Sequence, residues 1–342
     1  LAAIGTRESG LFLSADAGRT WHSGGIGFDL SVDQISCVRF DPRDDQHLLI
    51  GTNAGLFQSV DGGQSCQRCP LPTPGPVPSR VLTIAFHPAD SLKVYVALQG
   101  DGLFASNDGG RAWEAAGNGL LSAPACLSIN PSQPGDALAG GPDGVARWRP
   151  EARRWVPMGA GLSRGADVTT LLRLPGDGQR VLAGTRNGRL FRSDDGGERW
   201  TRLAGAPPQP GPLTLARGGD AALYLVGGGG LFRSRDDGTT WAACDDGLPG
   251  MAPRAAAAPD RMGRLLVGGG GGLCETTDFG DSWRRLGEGL RGPQLALNDL
   301  RADPRDPQRL AAATEGGVVL SEDGGATWRS SSLEAWSIGL AW

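Results

Sequence analysis

Short apolar runs recur along this chain, each closed by a turn. Within residues 168–203, four stretches at 168–174, 180–185, 189–193 and 199–203 are separated by Pro175-Gly-Asp-Gly178, Arg186-Asn-Gly188 and Asp194 to Gly197. Runs of that length between Gly, Pro, Asn and Asp clusters predict β-strands joined by hairpins. No stretch carries the periodicity of a long amphipathic helix. No apolar run approaches the roughly 18 residues that a membrane-spanning helix needs.

The hairpins share a sequence. Ser14 to Trp21 returns at Ser59 to Cys66, Ser106 to Trp113, Ser193 to Trp200, Ser234 to Trp241, Thr276 to Trp283 and Ser321 to Trp328. An eighth copy, Trp148 to Trp155, has lost the Ser, Asp and Gly but keeps the last Trp in place. The final positions are 45, 47, 42, 45, 41, 42 and 45 residues apart. A period in the forties fits one four-stranded blade of a propeller. In each box the Asp and Ser side chains serve the local backbone, Gly takes positive φ, and Trp folds over the turn. The expected role is a clasp for one hairpin. One box per blade keeps the aspartates too far apart to share a metal ion.

The chain starts directly in a second-strand pattern: Ala2 to Thr6 matches Leu49 to Thr52. After the last box, Ala335 to Trp342 is one spare strand. The expectation is an all-β, eight-bladed β-propeller spanning 1–342 as one domain, its first blade completed by the C-terminal strand. Seven blades follow if the degenerate unit is not a blade. Closure of this kind protects strand edges.

The box Ser/Thr-x-Asp-x-Gly-x-Thr-Trp, in seven good copies at blade spacing, resembles the BNR or Asp-box repeat propellers over essentially the whole chain. That group includes sialidases, xyloglucan-cleaving hydrolases, sortilin-type receptors and Ycf48-like photosystem II assembly factors. The resemblance implies the fold and leaves the activity open. Asp41-Pro-Arg-Asp44 and Asp303-Pro-Arg-Asp-Pro307 before second strands, Gly-Leu-Phe opening third strands at Gly10, Gly55 and Gly102, and Gly-x-Gly-Leu ending at Leu120, Leu162 and Leu290 are closer to the xyloglucanase, sortilin and Ycf48 branch.

A sialidase would need a rim tyrosine as nucleophile. The two tyrosines, Tyr95 and Tyr224, fall inside second strands. Xyloglucanase-like enzymes place one catalytic Asp on each of two propellers, and this chain supplies one propeller. A glycosidase pair needs two carboxyls about 5–10 Å apart. Candidates on the linking loops and turns are Glu8, Asp29, Asp33, Asp101, Asp143, Asp167 and Glu315, with Arg7 and Arg186 as ligand-binding partners. Counting back from the second-strand Gly or Ala, Cys37, Thr83, Cys126, Arg254 and Asp299 take equivalent first-strand positions, where they would line a central channel. Arg254 and Asp299, in neighbouring blades, are expected to pair.

The 56 glycines and 24 prolines fall mostly at repeated turn positions. The net charge of −4 excludes a strongly basic nucleic-acid-binding surface over the whole chain. Cys66-Gln-Arg-Cys69 has CxxC spacing, but on a strand its side chains point to opposite faces. His22, His47 and His87 are dispersed, and no cofactor is expected. The leading expectation is a non-catalytic propeller that binds a protein or a small ligand such as a glycan through rim loops and channel mouth. The loops at 23–34 and 70–80 are the candidates, the latter stiffened by five prolines. A carbohydrate-active hydrolase or lyase is the alternative. Leu1 is not an initiator Met, in keeping with a trimmed leader, and the resemblance implies an extracytoplasmic location, against which six cysteines with no evident pairing weigh.

Overall fold

The computed structural model describes the chain apart from residues 1, 7–9, 16–19, 29–33, 76–77, 88–89, 131–132, 134, 164, 175–177, 204–213, 218–221, 228–229, 249–252, 258–263, 304–305, 331–336 and 342. For strand residues 2, 4–6, 214–217, 227, 253–257, 298 and 337–341 it describes the backbone alone. The fold is an all-β propeller of four-stranded antiparallel blades, and the described residues form eight such sheets.

The described residues form two compact units. The first, Gly25–Ala204, holds blades 2 to 5. Their first strands are Ile35–Asp41, Val81–His87, Cys126–Ile129 and Val168–Arg173; their second strands are Asp44–Thr52, Asp90–Leu98, Ala137–Gly141 and Val181–Thr185. Third strands are Gly55–Ser59, Gly102–Ser106, Gly144–Arg149 and Leu190–Ser193, and short fourth strands are Gln67–Arg68, Glu114–Ala115, Arg154–Pro157 and Thr201–Arg202. The degenerate repeat is therefore a full blade, blade 4.

The second unit, Leu1–Gly24 with Gly205–Trp342, holds blades 6, 7, 8 and 1. Blades 6 to 8 begin at Thr214–Arg217, Pro253–Ala257 and Leu297–Ala302. Blade 1 is assembled from both ends of the sequence. Ser337–Ala341 pairs antiparallel with Ala2–Thr6, matching Ala3 to Ala341 and Gly5 to Gly339. The expected C-terminal strand completes the first blade.

Second strands are buried on both faces over most of their length; Leu48 to Thr52, Val181–Thr185 and Leu310–Thr314 are buried at every position. Blades 3, 4, 7 and 8 have a neighbour on both sides within their unit, and strands covered on both faces read as apolar runs instead of alternating. The core lies in layers between blades. Leu49 and Leu56 of blade 2 pack with Val94, Val96 and Phe104 of blade 3. Leu266 and Leu273 of blade 7 pack with Leu310 and Val319 of blade 8. First strands lie beside first strands, blade 2 on 3, 3 on 4 and 4 on 5 in one unit, and 6 on 7, 7 on 8 and 8 on 1 in the other.

The boxes are the expected clasps. In blade 5 the Ser193 hydroxyl donates to Asp195 Oδ1 at 2.8 Å and accepts the Gly197 amide at 2.8 Å, while Asp195 accepts the Arg199 amide at 2.9 Å. Six of the tryptophans use two modes. Trp113, Trp241 and Trp328 donate their indole N–H to a glycine carbonyl of their own box. Trp155, Trp200 and Trp283 donate instead to Ala116, Met158 and Cys244 just beyond the preceding blade's fourth strand.

A second latch joins neighbouring blades. The amides of Trp155, Trp200 and Trp328 donate at 2.7 Å to the carbonyls of Asn118, Ala160 and Glu288. Those acceptors are the variable residues of the Gly-x-Gly-Leu segments. The second glycine is obligatory: a Cβ at Gly161, at φ +90°, would lie 1.8 Å from the Trp200 carbonyl oxygen.

Candidate functional site at the second-to-third strand turns

The turn between second and third strands is fixed from inside. Thr52 Oγ1 donates to the Gly55 carbonyl at 2.7 Å and accepts the Ala54 amide at 3.0 Å, and Thr314 repeats the pattern with Gly317 and Gly316. The next residues reach sideways to the incoming first strand. Gln34 and Asn53 exchange two bonds, Ser79 donates its amide to Asp101 Oδ2 at 2.7 Å, and Glu315 donates its amide to the Ala296 carbonyl at 3.1 Å. Ser122 donates its hydroxyl to Asp143, and Arg186 binds Asp167 through both its guanidinium and its backbone amide. Thus Asp101, Asp143 and Asp167 each hold a turn to its neighbouring segment. Arg7, Glu8, Asp29 and Asp33 lie outside the described residues.

Between the Gly-x-Gly-Leu segment before blade 4 and that blade's turn lies an apolar pocket of about 80 Å³. Leu120, Leu121, Pro124, Val145 and Pro157 line it, with Ser122 and Asp143 at its polar edge. Leu121 is 85% exposed. Sequence reasoning missed this site. The signal was the second leucine in Gly-Leu-Leu, which the other Gly-x-Gly-Leu segments lack.

The proline-rich loop runs from the blade 2 turn to the blade 3 turn. Leu71 and Pro78 are buried anchors, Pro78 packing where a Cβ on Gly55 would sit. Pro70, Pro72 and Pro74 are exposed.

The first-strand alignment needs one correction. Cys37, Thr83, Cys126 and Asp299 do take one register, opposite Gly51, Ala97, Gly140 and Ala313. In blade 7 it is Ala255, not Arg254, that pairs with Gly268. The connection after that first strand is one residue shorter, so counting back overshoots onto the extra residue of a bulge. Asp299 pairs with Arg301 two residues along its own strand, at 3.2 Å. The side chain of Arg254 lies outside the described residues.

Cys37 and Cys126 fill space over the second-strand glycines, where a Cβ on Gly51 or Gly140 would meet their sulfur at 2.7 or 2.8 Å. Burial pushes the Cys37 thiol up, and pushes that of Cys126 up to about 12. Cys66 and Cys69 are buried, and burial raises both to about 12. Four such protonated thiols are poor nucleophiles and poor ligands. Among the described residues no group of three or more His, Cys, Asp or Glu is placed to hold a metal ion.

The sequence reading also missed two buried charge pairs. In blade 4, Arg147 Nε donates to Asp136 Oδ1 at 3.0 Å, and Arg173 of blade 5 binds the other oxygen at 3.1 Å. In blade 7, Glu275 accepts from Arg264 and Arg284, both at 2.6 Å. The strand registers make Asp136 equivalent to Arg264 and Arg147 equivalent to Glu275, so the two blades carry the same pair with its charges exchanged.

No family model matches this chain. A curated relative, the oligoxyloglucan-reducing end-specific xyloglucanase of Emericella nidulans, is 26% identical over 222 residues, covering 64% of this chain. The chain spans 22% of that relative's length. Among solved structures, the GH74 xyloglucanase from Xanthomonas campestris superposes over 99% of this chain and 67% of its own, with TM-score 0.60 and 17% identity. YCF48 bound to D1 peptide superposes over 88% and 99%, with TM-score 0.60 and 16% identity. The computationally designed Ika8 protein matches over 88% of each chain, with TM-score 0.60 and 15% identity. These likenesses show the fold, a β-propeller in the Asp-box style. Among the described residues no helix is long and apolar enough to cross a membrane.

Proposed function

We propose that the protein is a non-catalytic binding propeller whose second-to-third strand turns hold a segment of a partner protein. The observation that carries this reading is Leu121, exposed beside an apolar pocket whose edge is the Ser122–Asp143 pair. An exposed leucine next to such a hollow favours an apolar side chain of a partner, and the carboxylate suits a partner amide or ammonium. The proline-rich loop adds a second element. Its exposed prolines stand on buried anchors, so little conformational entropy is lost on contact. A similar fold, YCF48, has been solved with a bound peptide.

The alternative is a glycoside hydrolase, favoured by the likeness to a xyloglucanase. It requires a facing pair of carboxylates. Against it, Asp101, Asp143 and Asp167 are each occupied in tying one turn to its neighbour.

Selection from a displayed peptide library tests the reading. Peptides enriched on the wild-type protein lose binding to Leu121→Asp. Enrichment that ignores this substitution, or release of reducing ends from xyloglucan oligosaccharides, contradicts it.

A further inference from the structure

The degenerate hairpin of blade 4 differs from its seven counterparts in charge. The six residues inside each intact box carry a net charge between zero and −2, whereas residues 149–154, with three arginines and one glutamate, carry +2. The missing box is thus replaced by basic residues, whereas the hairpins that keep the box are neutral or acidic.

The arginines are set against one another. Arg149 and Arg154 are direct cross-strand partners, an arrangement that costs stability when both are charged and nothing lies between them. Glu198 pairs with Arg149 at 3.0 Å and is shared with Arg147 at 3.6 Å, leaving Arg154 without it. Arg153 and Arg154 are exposed, and their guanidinium groups have no partner among the described residues. The hairpin that presents them is held firmly. Arg153 sits at φ +48°, its amide donates to the Pro150 carbonyl at 3.2 Å, and its carbonyl accepts the Asn118 side chain at 3.1 Å. In the next cross-strand pair Trp148 and Trp155 pack with ring centres 5.6 Å apart.

We propose that this hairpin is a docking site for a short, carboxylate-rich protein segment, bound by Arg149, Arg153 and Arg154. Guanidinium groups match carboxylates with paired, charge-assisted hydrogen bonds. A short acidic segment fits better than a long polyanion. Glu151 lies among the arginines, and the chain carries −4 overall. The site is at the opposite end of the third strand from the Leu121 pocket and stands independently of it.

Fluorescence anisotropy with a labelled peptide of alternating Glu and Gly is the test, with the matching Gln peptide as control. The Glu peptide binds the wild-type protein, weakens with added salt, and binds R153A/R154A about tenfold less tightly. R153E/R154E abolishes binding, and Leu121→Asp leaves it unchanged. Thermal melting verifies that both arginine variants remain folded, as exposed positions predict. Failure of the Glu peptide to bind, equal binding of the Gln peptide, or an unchanged isotherm for folded R153A/R154A overturns the proposal.

Discussion

The amide of Trp155 donates to the carbonyl of Asn118 at 2.7 Å, although the box that ends at Trp155 has lost its Ser, Asp and Gly. The same bond recurs at Trp200 with Ala160 and at Trp328 with Glu288. The Trp position is therefore kept for two contacts that do not depend on the box: this latch, and an indole bond to Ala116. That explains how a blade survives without its clasp.

The latch predicts a contrast between two glycines. Gly161 and Gly165 both have positive φ, but a Cβ at Gly161 meets the Trp200 carbonyl oxygen at 1.8 Å while one at Gly165 meets nothing within 4 Å. Gly165→Ala costs about 1 kcal/mol, the backbone penalty alone, and Gly161→Ala costs about 3 kcal/mol because the latch must open as well. Urea denaturation midpoints compare the two. Equal losses would remove the latch from the account.

The boxes predict acid sensitivity. Hydrogen bonds from Ser282 and Thr276 hold the Asp278 carboxyl down to about 2. Asp108 is lowered chiefly by the Ala112 amide. At Asp61, Asp195, Asp236 and Asp323 burial pushes upward, but donated hydrogen bonds outweigh it and the net shift is downward. A carboxyl depressed on folding stabilises above its unfolded value of 3.8 and loses that contribution as pH falls toward about 2. Stability to urea is expected to hold from neutral pH to about 4.5 and to fall below it, with a shallower fall in Asp278→Asn. An acid limb unchanged by that substitution contradicts the assignment.

The buried pairs predict asymmetry between breaking and exchanging charges. Glu275 is 3% and Arg264 9% exposed at the side chain. Glu275→Gln leaves a buried guanidinium unpaired and costs about 3–5 kcal/mol. The exchange R264E/E275R copies the polarity of Asp136 and Arg147 and recovers part of that loss. If the exchanged protein is as unstable as Glu275→Gln, the equivalence of the two pairs has no energetic meaning.

Buried thiols predict slow chemistry. At pH 8 the native protein is alkylated far more slowly than the urea-unfolded chain, in which all six cysteines react. Rapid labelling of Cys66 or Cys69 in the native state would reopen a ligand or redox role for the CxxC segment.

Most of the fold was legible because a Trp or Cys closes each hairpin at nearly constant spacing, and the spare strand at 335–342 matched the missing first strand of blade 1. Arg254 was misplaced because one bulged residue and one shortened connection are invisible to counting. The candidate site was less legible. Asp101, Asp143 and Asp167 are indistinguishable in sequence from catalytic carboxylates until their partners are seen. Leu121 is an ordinary leucine until its exposure is known, and Asp136 with Arg147 depends on a cross-strand register.

Titration of a library-selected peptide into wild-type protein and into Leu121→Asp tests the central claim most directly. The account predicts saturable binding to the wild-type protein, at least tenfold weaker in the variant, with melting temperatures unchanged within error. Equal affinity for both proteins, or cleavage of xyloglucan oligosaccharides by the wild-type chain, would contradict it.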